Sequence, residues 1–231
     1  MPAVLFDLDG TLTDPAPGIS GCIVYALERL GVTAPVEGLN WCIGPPLRGS
    51  FSRLLGTEDV AVLARAMELY RERFSAVGLY ENSVYDGIPE CLGELRSRGV
   101  DLFVATSKPH VYANRILEHF GLSEFFGGVY GSELDGVRSD KGELIAHLLS
   151  CEGLASSGVV MIGDRSHDVV GAGRCGVPCV GVLYGYGSAE ELGEAVAVCE
   201  LPSQVAGVVL GVLEEIKRGS EEVRKRGGIW G

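Results

Sequence analysis

The sequence predicts an α/β protein: a doubly wound parallel sheet with an all-helical insert close to its start. Three observations predict it. Short apolar runs at Ala3–Gly10, Val100–Ala105, Gly158–Gly163 and Pro178–Leu183 have the length and composition of strands buried on both faces. Apolar stripes at helical spacing lie between them, and strand–helix alternation builds a parallel sheet. From about Pro15 to Asn82 the alternation stops and only helical stripes remain.

Taken in order, Ala3-Val-Leu-Phe-Asp-Leu-Asp-Gly10 is a strand that turns acidic and feeds a loop. In the insert, Ile19, Cys22, Ile23, Ala26, Leu27 and Leu30 repeat at helical spacing and stop at Gly31. Phe51, Leu54 and Leu55 continue the theme, and Val60, Leu63, Ala66, Met67, Tyr70 and Phe74 form another helix. Ile88, Cys91, Leu92 and Leu95 follow, with Pro89 in the first turn and Gly99 as the stop. Val111, Tyr112, Ile116, Leu117 and Phe120 repeat the pattern after Pro109 and end at Gly121. Gly128–Gly131 is a weaker fifth strand, and Leu144, Ile145, Leu148 and Leu149 make the next stripe. Ser188 with Glu191 fits a capping box, which predicts a helix start there. Val205, Val208, Val209, Val212, Leu213 and Ile216 make the last helix. The charged tail from Lys217, ending Gly-Gly-Ile-Trp-Gly, reads as loosely attached. The expected organisation is a core of residues 1–14 and 83–216, a helical cap over 15–82 and a tail over 217–231.

Composition narrows the function. The 231 residues carry 31 acidic against 19 basic side chains, a net charge of −12, and 46% are hydrophobic. That excludes wholesale disorder and argues against a nucleic-acid partner, which needs a basic patch. The 34 glycines follow no fixed period, so collagen and solenoid repeats are out. The uncharged stretch Cys175–Ala189 is too short for a bilayer span and contains Pro178, so no membrane partner is expected. Asp7 and Asp9 stand where a signal peptide would be apolar, and the expected location is the cytoplasm. The seven cysteines are odd in number and form no Cys-x-x-Cys, which disfavours a disulfide framework or a zinc ribbon.

Ligands of open parallel sheets bind beyond the carboxyl ends of the strands. Asp7, Asp9, Gly10 and Thr11 follow the first strand, Thr106 and Ser107 the second, and Asp164 and Asp168 the run ending at Gly163. Lys141 lies between the fifth run and Gly158. Asp7 and Asp9 are two apart, so an extended backbone points both to one face. Two bare charges 4 Å apart cost about 4 kcal/mol at an effective dielectric of 20, and a hard cation removes that cost. A set of oxygen donors without His or Cys at matching spacing points to Mg²⁺ rather than Zn²⁺. A metal beside a lone Lys and a Thr hydroxyl makes a phosphate site.

Asp7-Leu-Asp-Gly-Thr11, Thr106-Ser107, Lys141 and Gly163-Asp-Arg-Ser-His-Asp168 resemble, in order, the four motifs of the haloacid-dehalogenase-like phosphohydrolase superfamily. Asp-x-Asp-Gly-Thr alone arises by chance about once in 10⁵ positions. Ala105-Thr-Ser-Lys-Pro109 and the insert resemble the phosphoglycolate-phosphatase-like branch, a Rossmann-like core with a small helical cap. The resemblance implies a phosphatase of small phosphate esters. Asp7 would be the nucleophile that becomes an aspartyl-phosphate, and Asp9 the general acid and base. Asp7, the Asp9 carbonyl, Asp164 and Asp168 would hold Mg²⁺, while Thr106, Ser107 and Lys141 would bind the phosphoryl oxygens. Lys108 is a rival to Lys141 for the third motif, and Thr106 also suits a helix N-cap before Pro109.

Specificity must come from the cap, because the sheet edge reads only phosphate. Gly44-Pro-Pro-Leu47 is a stiff turn followed by Arg48, a candidate for a second anionic group on the substrate. Gly18 and Gly21 lie near the hinge side and suggest ease of cap motion. Arg165 and His167, inside the fourth motif, read as surface residues; His110, His119 and His147 read as ordinary core or surface residues. The rival enzymes within the superfamily are a 5′-nucleotidase and a phosphomutase. A dehalogenase is disfavoured because those relatives lack the aspartate that Asp9 supplies. A receiver-like phospho-aspartate signalling domain would be about half this length, with no early helical insert.

Overall fold

The computed structural model describes residues 2–33 and 38–227. Among the described residues eight strands form: β1 (Ala3–Phe6), β2 (Thr13–Asp14), β3 (Ser83–Val84), β4 (Asp101–Pro109), β5 (Gly128–Ser132), β6 (Val159–Gly163), β7 (Cys179–Val182) and β8 (Ala197–Cys199). The helices are α1 (Ala16–Arg29), α2 (Leu47–Leu55), α3 (Val60–Arg73), α4 (Ile88–Ser97), α5 (His110–His119), α6 (Lys141–Glu152), α7 (Ser166–Arg174) and α8 (Pro202–Gly227). The main sheet is parallel and ordered β5-β4-β1-β6-β7-β8. The chain winds outward from β1 through β4 to β5, then returns to β6 on the other side. The switch point lies at β1, and a ligand crevice is expected at its carboxyl end.

Every residue of β1 is buried. The period of two sends Val4 and Phe6 into the cluster that holds Ile88, Leu92, Ile116 and Val205. Ala3 and Leu5 point the other way, with Leu144, Ile145, Val169 and Ala172. One face is therefore covered by α4, α5 and α8 and the other by α6 and α7.

The insert is an all-helical cap. The chain leaves and re-enters the core through a two-stranded antiparallel ribbon, with Thr13 opposite Val84 and Asp14 opposite Ser83. Asp14 Oδ1 accepts from the Ala16 N–H at 3.1 Å and so starts α1. After α3 the chain makes one π-helical turn, Phe74–Gly78. Gly18 is a site of close contact. A Cβ there would stand 2.0 Å from the Gly78 carbonyl oxygen, so α1 and the π turn meet at backbone distance.

Three expectations change. Strand β4 runs beyond Ala105 to Pro109, with a register shift between Thr106 and Pro109. Polar Thr106-Ser107-Lys108 hides the strand from an apolar reading, while pairing with β5 keeps it extended. Ser188 and Glu191 start no helix. The Glu191 N–H reaches Ser188 Oγ at 3.3 Å in a turn, but its carboxylate is taken by Arg165 and cannot complete a capping box. The last helix does not stop at Ile216 but continues to Gly227. Glu214 and Arg218 stand four apart with the acid first, the favourable helical order. Residues 228–231 of the expected tail lie outside the described residues.

Candidate active site

The site assembles at the carboxyl ends of β1, β4 and β6. Asp7 and Asp9 follow β1 and both line one cavity, while buried Leu8 between them faces the core. A tight turn carries the chain away: Gly10 N–H reaches Thr13 O at 2.8 Å and Leu12 N–H reaches Leu8 O at 2.9 Å. Gly10 has φ +83°, and a Cβ on it would stand 2.2 Å from Asp164 Oδ2. Both backbone conformation and space demand glycine in the first motif.

Lys141 opens α6, whose N-terminus is capped by Asp140 accepting from the Glu143 N–H at 2.9 Å. The lysine is 5% exposed. Its Nζ stands 2.9 Å from Asp7 Oδ1, 2.7 Å from Asp168 Oδ1 and 2.9 Å from the Ala105 carbonyl oxygen. Burial pulls its pKa down, but Asp168 and Asp7 outweigh that and hold the ammonium charged. Lys108 takes a different partner. Its Nζ is 2.8 Å from Asp9 Oδ2 and 4.8 Å from the centre of the Phe74 ring in the cap. The two lysines thus divide the two aspartates of the first motif. Burial raises the Asp9 pKa from its ordinary value, and Lys108 opposes the shift.

Asp164 is wholly buried just beyond β6. Its Oδ2 accepts from the Tyr186 N–H at 2.7 Å, while Oδ1 has no hydrogen-bond partner. Burial, reinforced by the charges of Asp168 and Asp7, pushes its pKa up to about 8. Asp168, in the first turn of α7, is also raised, chiefly by burial. Asp7, Asp164 and Asp168 each bring a carboxylate oxygen within 4.8 Å of one another. Lys141 compensates only Asp7 and Asp168. A buried, partnerless carboxylate oxygen facing two other acids is the environment a hard cation satisfies, so these residues fit a metal ion.

Thr106 is buried, and its Oγ1 accepts from the Lys108 N–H at 3.2 Å. It lies where the β4 register shifts and caps no helix, because α5 starts at His110 with Pro109 at its N-cap. Ser107 lines the cavity, but its hydroxyl donates to the Ser139 carbonyl at 3.2 Å. Arg48 stands in the first turn of α2, exposed to solvent, and also lines the cavity. The cavity, about 310 Å³, lies between core and cap. Leu47, Met67, Tyr70 and Phe74 of the cap and Tyr112 of the core give it an apolar wall.

Arg165 overturns its expectation as a surface residue. Its side chain is 13% exposed, its Nε stands 3.0 Å from Glu191 Oε2, and its Nη1 donates to the Ile43 carbonyl at 3.2 Å. His167 is exposed, as the surface reading expects, though it borders the cavity; partial desolvation and the nearby Arg165 charge lower its pKa. Lys108 was legible as the residue after the second motif. Tyr186 carried no signal beyond its flanking glycines.

The profile of the haloacid dehalogenase-like hydrolases matches residues 4–182. The chain belongs to the haloacid dehalogenase-like hydrolase family. It is 54% identical over 195 residues to a 5′-nucleotidase of Pseudomonas aeruginosa, covering 83% of this chain and 86% of that one. It is 43% identical over 188 residues to the tyrosine-protein kinase PtkA of Mycobacterium tuberculosis, covering 81% of this chain and 64% of that one. A phosphoglycolate phosphatase of Yersinia pestis is 31% identical over 200 residues, with 84% of each chain covered. Among solved structures, a predicted phosphatase from Clostridium acetobutylicum superimposes with a TM-score of 0.84 at 41% identity, covering 92% of this chain and 98% of that one. Within this haloacid dehalogenase-like family the chain is a phosphatase. No helix among the described residues is long and apolar enough to cross a membrane.

Proposed function

We propose that this haloacid dehalogenase-like hydrolase is an Mg²⁺-dependent phosphatase that cleaves a small organic phosphate monoester through an aspartyl-phosphate on Asp7. The observation that carries the reading is the division of charge at the sheet edge. Lys141 holds Asp7 and Asp168, while Asp164 keeps a buried oxygen with no partner. Asp7, the Asp9 carbonyl, Asp164 and Asp168 are the groups that would hold Mg²⁺. Bound there, it would draw charge from the phosphoryl oxygens and screen the acids from the incoming anion.

The residues supply the rest. Lys141 orients the Asp7 carboxylate through Oδ1, and a carboxylate oxygen attacks phosphorus. The bond from phosphorus to the ester oxygen breaks, and protonated Asp9 gives its proton to that oxygen. In the second half, Asp9 takes a proton from a water whose oxygen bonds to phosphorus. The bond to Asp7 breaks, and inorganic phosphate leaves. Thr106 and Lys141 would bind the non-bridging oxygens.

Arg48 suits a leaving group that bears its own negative charge, as in phosphoglycolate. A second substrate, a nucleoside 5′-monophosphate, is favoured by the size of the cavity. About 310 Å³ with Met67, Tyr70 and Tyr112 on its wall accommodates a base and sugar and is wasteful for a two-carbon acid. The deciding experiment is release of phosphate from a metabolite panel with Mg²⁺, including nucleoside monophosphates, phosphoglycolate and sugar phosphates. Turnover of any monoester supports the phosphatase, and the preferred leaving group chooses between the readings. No turnover across the panel would sink both.

A further inference from the structure

Arg165 stands between two residues of the metal-holding cluster, yet its guanidinium points away from them. Nη1 donates to the carbonyl of Ile43 at 3.2 Å, in the segment that leads into Gly44-Pro45-Pro46-Leu47. Nε stands 3.0 Å from Glu191 Oε2, an oxygen that also accepts from the Ser166 N–H at 3.3 Å and its hydroxyl at 3.4 Å. The arginine backbone is fixed separately, its N–H donating to Asp168 Oδ2 at 3.1 Å. The side chain thus runs from the loop holding Asp164 and Asp168, under Glu191, to the cap segment that carries Arg48.

The cap side is shaped to receive it. Gly44 has φ +97°, and a Cβ there would stand 3.0 Å from Arg165 Cγ. Residues 39–43 form a single 3₁₀ turn, closed by Cys42 N–H to Leu39 O at 2.9 Å and Ile43 N–H to Asn40 O at 3.0 Å. Beyond them the two prolines fix the backbone angle φ and donate no hydrogen bond. Leu39, Cys42 and Ile43 anchor the segment through side chains buried in the core, and the part-buried Arg165 cation adds a charged hydrogen bond to its backbone.

We propose that Arg165 is a positioning residue that tethers the Ile43–Arg48 segment over the cavity, so that the cap's substrate-reading groups are set by the same loop that carries the metal-holding acids. The proposal rests on the phosphatase reading only for its kinetic consequence. A guanidinium is needed because two donors must point in different directions at once, which a lysine ammonium on a flexible stem does not reproduce.

The test is hydrogen exchange of the full-length protein together with steady-state kinetics. In Arg165→Ala, amides in the 39–49 segment, Cys42, Ile43 and Gly49 among them, should exchange about tenfold faster. Strand β6 should keep wild-type protection, because the backbone bond to Asp168 is retained. KM should rise about tenfold while kcat changes much less. Arg165→Lys can keep the Glu191 pair but not the Ile43 contact, and should resemble Arg165→Ala in both readouts. Gly44→Ala, with Arg165 intact, should show the same pattern and stands in if the arginine variants fold poorly. Wild-type exchange in Arg165→Ala, full rescue by lysine, or a collapse of kcat at unchanged KM would overturn the tether. If the wild type hydrolyses no ester, the phosphatase reading fails, while the exchange contrast still decides the tether.

Discussion

Asp7 and Asp9 lie two residues apart and have different neighbours, which makes their roles separable. Asp7 Oδ1 is 2.9 Å from Lys141, and Asp9 Oδ2 is 2.8 Å from Lys108. Asp7→Asn keeps the shape but offers no nucleophile, so no phosphoenzyme should form. Asp9→Asn keeps its backbone carbonyl and leaves Asp7 free to attack, but loses a proton donor, a term of about 10²–10⁴ in rate. With p-nitrophenyl phosphate, a good leaving group, Asp9→Asn should be phosphorylated slowly and then stall. Intact-mass analysis should show one added phosphoryl group on Asp9→Asn and none on Asp7→Asn. An adduct on Asp7→Asn would overturn the assignment. Arg48 invites a second comparison, since it lines the cavity from the first turn of α2. Arg48→Ala should raise KM for phosphoglycolate more than for p-nitrophenyl phosphate, whose leaving group carries no carboxylate. Equal effects would show that Arg48 does not meet the leaving group. The resemblance carried by the motifs proposes Asp7 as nucleophile and Asp7, Asp9, Asp164 and Asp168 as metal holders, and the fold brings the carboxylates of Asp7, Asp164 and Asp168 together. The sequence did not place Lys108 against Asp9, because that contact joins residues 99 positions apart.

Among the elements, the insert depends on close contact as much as on its apolar stripes. Gly18 of α1 lies against the π turn after α3, with its N–H donating to the Glu81 carbonyl at 2.9 Å. Gly18→Val would force branched carbons against the Gly78 carbonyl, and such overpacking costs about 1–3 kcal/mol. Chemical denaturation should show the midpoint falling by a corresponding amount, with cap amides losing protection before those of β1. An unchanged midpoint would mean that α1 can shift at no cost. The helical character of α1 and α3 was legible, because the 3.6-residue period of Ile19, Cys22, Ile23, Ala26 and Leu27 is a local property. The end of β4 and the turn at Ser188 were not, because each is decided by a partner distant in sequence: β5 for the strand, Arg165 for the Glu191 carboxylate.

For the whole molecule, the uncompensated acid at the sheet edge would link stability to a bound metal. Mg²⁺ that binds the folded chain alone should stabilise it by about 2.7 kcal/mol at a hundred times its dissociation constant. Thermal unfolding should therefore shift upward as Mg²⁺ is added, and Asp164→Asn should blunt that shift. Excess EDTA should abolish phosphate release, and restored Mg²⁺ should return it; full turnover in EDTA would remove the metal from the mechanism. The sequence by itself determined the α/β class, the early helical insert and the acids at the strand ends. Those features follow from the apolar period and from residues a few positions apart, which the local backbone fixes. Only the tertiary structure decided which lysine serves which aspartate, that one Asp164 oxygen is left without a partner, and that Arg165 reaches the cap. Each of these is a contact between segments far apart in the chain, and its direction is set by packing on the sheet rather than by any local pattern.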